Sequence, residues 1–129
     1  MRSAGQQAQL VKKLLNGSGP EEQVLGAALA VALAKATELP ASVYEGQNAV
    51  RLDEQNPYLL ARNLLLLRMI ECPVVLLEPY VANSEVVYLR LQSALANRAA
   101  GAVLAEDDIL LEYADAVVAG VVNCFATER

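Results

Sequence analysis

The sequence predicts an all-α fold, a compact single-domain bundle of about five helices over residues 1–129. Three observations carry this. Apolar residues recur every three or four positions through most of the chain, the period of a helix face. Helix starts and stops punctuate them: Asn16-Gly17, Ser18-Gly19-Pro20-Glu21, Asn56-Pro57, Cys72-Pro73 and Gly101. The composition is 55% apolar and 19% charged, against about 45–50% and about 25% in an ordinary soluble domain. Such a chain carries more apolar surface than one small domain needs. The alternative is an α+β fold with a β-hairpin at about 74–91.

The first helix covers 3–15, where Gln7, Leu10, Val11, Leu14 and Leu15 fall at helical spacing. Asn16-Gly17 ends it, since glycine readily takes the left-handed turn past a helix. Ser18 and Glu21 then form a capping-box pattern, the hydroxyl accepting a backbone N–H and the carboxylate reaching back. Pro20 sits in the first turn, where its missing donor costs nothing. This second helix is predicted to run to about Glu38, stopped by Pro40. From Val24 to Ala34 it is apolar on every side, the pattern of a helix buried all round. Gly26, Ala30 and Ala34 recur every four residues, a spacing that suits close approach of another helix.

Residues 41–55 carry the weakest pattern. Ser42–Val50 is compatible with a short helix, whereas Gly46, Asn48, Asp53 and Asn56 favour turns. Asn56-Pro57 opens a helix to about Glu71, with Asn as cap and Pro at the first position. Its polar residues Arg62, Asn63, Arg68 and Glu71 share no stripe, so it too is expected at the centre or at an interface. Val74–Leu77 lies between Pro73 and Pro79 and is too short for a helix. In the α+β alternative it pairs with Val86–Leu91. In the preferred reading Asn83-Ser84-Glu85 starts a helix over 84–99, ended by Gly101.

Glu106-Asp107-Asp108 opens the last helix, acids at its positive end. Ile109, Tyr113, Ala116, Gly120 and Cys124 recur at near-heptad spacing, with Leu110, Val117 and Val121 beside them. Asp108, Glu112, Asp115 and Asn123 fall opposite and read as a solvated face.

The net charge is −5 and unevenly placed. Residues 1–98 balance, so the last quarter supplies all of it. Without a basic cluster, nucleic acid is not an expected partner. The longest uninterrupted apolar-or-glycine run is Val24–Ala34, short of the roughly 20 residues of a spanning helix. No signal-peptide pattern follows Arg2. The chain is therefore expected to be cytoplasmic and away from membranes. Cys72 and Cys124 form no CxxC and are expected as free, buried thiols.

The chain has no histidine, hence no histidine-based triad, dyad or metal ligand. Its glycines form no phosphate-cradling motif. One constellation carries chemistry on paper. Asp108, Glu112 and Asp115 fall at i, i+4 and i+7, a spacing from which carboxylates bind Mg²⁺. The segment Glu112–Val117 is similar to the second-half ExxD motif of MazG-like all-α nucleotide pyrophosphatases. That resemblance implies a Mg²⁺-dependent pyrophosphohydrolase working from this acidic face. The family's first motif, ExxE on an earlier helix, has no counterpart, and no lysine follows Lys35.

The leading expectation is a small non-enzymatic helical interaction protein without cofactor: an adaptor, assembly factor or chaperone, itself a homodimer. Leu64, Leu67, Arg68, Tyr113, Val117 and Val121 are the expected interface residues. The acidic last helix would steer a basic protein partner. A third reading is a helical domain holding a small apolar ligand between its helices.

Overall fold

The computed structural model describes residues 3–44, 49–80, 84–103, 105 and 107–126. Among these, five helices and one two-stranded sheet form: α1 (Ala4–Leu15), α2 (Ser18–Thr37), β1 (Ala49–Arg51), β2 (Leu60–Arg62), α3 (Leu65–Met69), α4 (Glu85–Ala99) and α5 (Ile109–Ala126). The protein is mostly helical, as expected. The hairpin foreseen at 74–91 does not form, because its second half is the helix α4. The first strand of the sheet lies where the pattern was weakest, and of the short helix entertained over Ser42–Val50 the described residues 42–44 and 49–50 are not helical. Of the residues expected to punctuate the elements, Gly46, Asn48, Asn83 and Glu106 lie outside the described residues.

The capping box forms one helix earlier than expected. At α1 the Ser3 hydroxyl accepts the Gln6 N–H while the Gln6 side chain accepts the Ser3 N–H. Gly17 turns the chain at φ 84° and caps α2 with no side-chain bond. Ser18 is instead buried and donates its hydroxyl to the Glu71 carbonyl. Tertiary demand has thus taken the side chain that local geometry offered to the cap. Glu38, at φ 51°, ends α2.

α2 and α5 form the central pair. Gly120 of α5 meets Leu29, while Leu39, just past α2, packs against the cluster that contains Ile109, at the other end of α5. The two helices are therefore antiparallel. Their contact is close because Gly120 has no side chain: a Cβ there would stand 2.9 Å from the Leu29 Cα. The buried positions of α5 are Ile109, Ala116, Gly120 and Cys124, the near-heptad stripe read from the sequence. α4 lies against the start of α5, burying Val87 and Ala94 against Ile109.

Three expectations need correction. α2 is not wrapped on all sides: Val24 and Val31 are exposed. The helix expected over 57–71 is reduced to Leu65–Met69, since Asn56-Pro57 makes a turn and residues 60–62 pair with β1. Cys72 is free but exposed, while Cys124 is free and buried.

Past α3 the chain from Glu71 to Tyr80 runs alongside α2. The Glu71 carbonyl meets Ser18, Val74 N–H donates to Glu22 at 3.0 Å, Val75 lies beside Gly26, and Tyr80 joins the cluster containing Leu39. From Ser18 to Gly26 α2 rises roughly 12 Å at 1.5 Å per residue. The four residue steps from Glu71 to Val75 cover the same distance only at about 3 Å each, close to the rise of a β-strand. The segment is strand-like, although no strand among the described residues pairs with it.

Candidate functional site

Two features stand out: a cavity beneath the strand-like segment, and the apolar surface left outside. The cavity has a volume of about 510 Å³ and lies between α2, the sheet, α3 and residues 74–79. Its wall along α2 is apolar, through Gly26, Leu29, Ala30 and Leu33. Each end is polar. At one end Lys13, 5% exposed, pairs with Glu22 and donates to the Leu67 carbonyl at 2.7 Å. Glu22 also accepts the Val74 N–H. At the other end Glu78 accepts from the Tyr44 hydroxyl and from Arg62 at 3.3 Å. The Arg62 guanidinium stacks over the Tyr44 ring at 4.2 Å. The hydrogen bond to Glu78 pushes the Tyr44 hydroxyl above its ordinary pKa, with burial adding to it. Arg62 Nε is buried and has no hydrogen-bond partner, so one donor is left over in this wall.

The acidic residues of α5 are placed differently from their expected roles. Asp108 is buried, accepts from Arg98 at 3.0 Å, and caps α5 through the N–H groups of Leu110 and Leu111. Burial pushes its carboxyl up, but Arg98 and the two N–H groups outweigh this and hold it below the usual carboxylate value. Glu112 is bound by Arg90 at 2.8 Å and by the Tyr80 hydroxyl at 2.9 Å. Burial, followed by the Glu112 hydrogen bond, raises the Tyr80 pKa strongly. Asp115 is exposed. Asp108 and Glu112 thus serve as structural anions, and no group of three metal-ligating side chains stands together among the described residues.

The expected interface residues fall into two groups on different elements. Leu64, Leu67 and Arg68 are half-buried around α3, where Arg68 binds Gln9 and Asn63. Tyr113 and Val117 are half-buried on α5, and Tyr113 meets Tyr80 edge-on at 6.2 Å. Val121 is exposed. Their immediate neighbours are more open: Leu65, Leu66 and Met69 on α3, and Val118, Val122 and Phe125 on α5. In helices apolar on several sides, the sequence period does not say which apolar side packs first. The residues missed altogether are Tyr44 and Glu78, while Arg62 was read as a polar residue of a central or interfacial helix. The one available signal was Glu78 itself, a carboxylate closing an apolar run between prolines.

Comparison with family models, with curated proteins and with solved structures returned no match.

The accessible area as a whole is large for a chain of this mass. A compact chain of 13.8 kDa is expected to expose about 6,600 Å². This chain exposes 9156 Å². The difference, about 2,500 Å², is roughly three times what one partner buries in a standard interface. α5 contributes heavily. Among the described residues it is the one helix long and apolar enough to cross a membrane, with a mean hydropathy of 1.6, and 22% of it is buried.

Proposed function

We propose that this chain is a helical interaction protein that acts by covering its apolar helix faces with another polypeptide, as a homodimer in the simplest case. The excess of exposed surface carries this reading. Contiguous apolar surface beyond a few hundred Å² marks sites of association. Here it includes Val118, Val122 and Phe125 along one side of α5, interrupted on that helix's outer side by Asp115. A polypeptide suits α5 better than lipid. Glu112 and Asp115 lie within the helix, and its other side is committed to α2 at Leu29 and Gly120. Attraction of a basic partner would rest on Asp107 and Asp115, because Arg98 and Arg90 already pair with Asp108 and Glu112.

Lysine at the open side of α5 tests this. Val122→Lys with Phe125→Lys is expected to weaken self-association about 100-fold, roughly 3 kcal/mol, while circular dichroism keeps the helical signal. Unchanged association in the folded double variant would contradict the proposal.

A second reading is favoured by the cavity of about 510 Å³, which is within the size range of small-molecule pockets. Its apolar wall and the spare Arg62 Nε donor suit an apolar ligand with one acceptor group. Native mass spectrometry of freshly purified protein checks this. Co-purified ligand displaced by Arg62→Met supports it; only the unliganded mass counts against it. A MazG-like hydrolase gains no support, because two of its three carboxylates are occupied by Arg98 and Arg90.

A further inference from the structure

The strand-like segment is flanked by Pro73 and Pro79 and carries Val74, Val75, Leu76, Leu77 and Glu78. Val74 N–H is taken by Glu22. The backbone groups of Val75, Leu76 and Leu77 take no partner among the described residues. Unpaired backbone along an apolar strand is a template for a second strand. In an extended strand, N–H and C=O groups of alternate residues point to opposite edges. Val74 N–H turns the edge shared by Val74, Leu76 and Glu78 toward Glu22. The edge shared by Val75 and Leu77 is the opposite one.

We infer that this outer edge pairs antiparallel with the same edge of a second copy, about a two-fold axis at Leu76. The inference rests on the self-association proposed above and adds a backbone contact to the one made by α5. The register is self-complementary. With Leu76 opposite its own counterpart, Val75 stands opposite Leu77 of the other copy, and each pair exchanges two N–H···O bonds. Val74 stands opposite Glu78, so no carboxylate faces a carboxylate. Pro73 stands opposite Pro79, and since neither has an N–H, the ladder stops at both ends in the same place. A ladder of two hydrogen-bonded pairs is marginal alone. Here α2 backs it, with Val75 against Gly26, and Leu76 is 42% exposed.

Directed crosslinking tests this in the full chain. Cys72→Ser and Cys124→Ala first remove the native thiols. Leu76 counterparts form a non-hydrogen-bonded pair, whose Cα atoms stand about 4.5 Å apart, within disulfide reach. Mild oxidation of Leu76→Cys in that background is expected to convert most of the chain to a covalent dimer. Val86→Cys, exposed on α4, serves as the control and is expected to crosslink only at the collisional level. Val75→Pro removes an N–H from the pairing edge and is expected to lower the dimer fraction. Three outcomes are distinguishable. Crosslinking at Leu76 above the control supports the strand pairing. A dimer without it overturns the pairing and leaves self-association standing. A monomer before oxidation overturns both.

Discussion

At the scale of single residues, Gly120 decides how closely α2 and α5 approach. A methyl group there meets the Leu29 backbone at 2.9 Å, which no side-chain rotation relieves. Gly120→Ala is therefore expected to cost about 1–3 kcal/mol in urea unfolding. Gly5→Ala adds a methyl to open space on α1 and is expected to be neutral or stabilising by up to about 1 kcal/mol. The need for close approach was legible, but at the wrong residue. The spacing of Gly26, Ala30 and Ala34 suggested a helix contact, whereas Gly26 faces Leu59 and Val75. Small residues at period four mark a groove, and the sequence does not say what fills it. Asp108 shows the same limit. Its position before α5 reads as a solvated acid, yet Arg98 and two backbone N–H groups hold it buried and ionised. Because its pKa is lowered, it contributes stability above the ordinary carboxylate range. That contribution is lost as pH falls through the lowered value. Asp108→Asn is expected to flatten the acid limb of a stability-versus-pH curve measured by thermal melting.

At the scale of elements, polar residues join segments that the helix period alone would leave independent. Lys13 ties α1 to α2 and α3 through Glu22 and Leu67. Glu22→Leu leaves the Lys13 ammonium buried beside a single carbonyl and is expected to cost about 3 kcal/mol. Adding Lys13→Met is expected to recover much of this, measured as a double-mutant cycle. Tyr80 and Arg90 converge on Glu112 and dock the strand-like segment and α4 onto α5. The folded-state pKa of Tyr80 lies above its ordinary 10.0. The stability it confers is present below pH 10 and is lost as pH rises beyond it. Tyr80→Phe is expected to reduce that alkaline loss. The helices α1, α2, α4 and α5 were legible because each has a long periodic pattern or a clear terminus. The sheet and the reduced α3 were not. Leu59 to Met69 is apolar enough for either a helix or a strand, and pairing with β1 decided the matter. The cavity end at Tyr44, Arg62 and Glu78 joins three distant segments, so no local pattern announced it.

At the scale of the whole molecule, the apolar excess read from composition reappears as exposed apolar side chains. The sequence pattern had placed the surplus in α2 and the 57–71 segment, buried at the centre. The structure places much of it outside, on α3, α4 and α5. A bundle this small has too few layers to enclose four helices with apolar faces on several sides, so those faces remain open. The apolar character was thus legible from composition, while its distribution depended on which faces packed first. The central claim is that a polypeptide covers this surface, with a second copy the simplest candidate. Sedimentation equilibrium of the purified full chain at micromolar concentration tests it most directly. A mass twice 13.8 kDa is expected, unchanged by moderate salt because apolar faces rather than charges make the contact. A folded, helical species that remains at 13.8 kDa throughout the concentration range would contradict it.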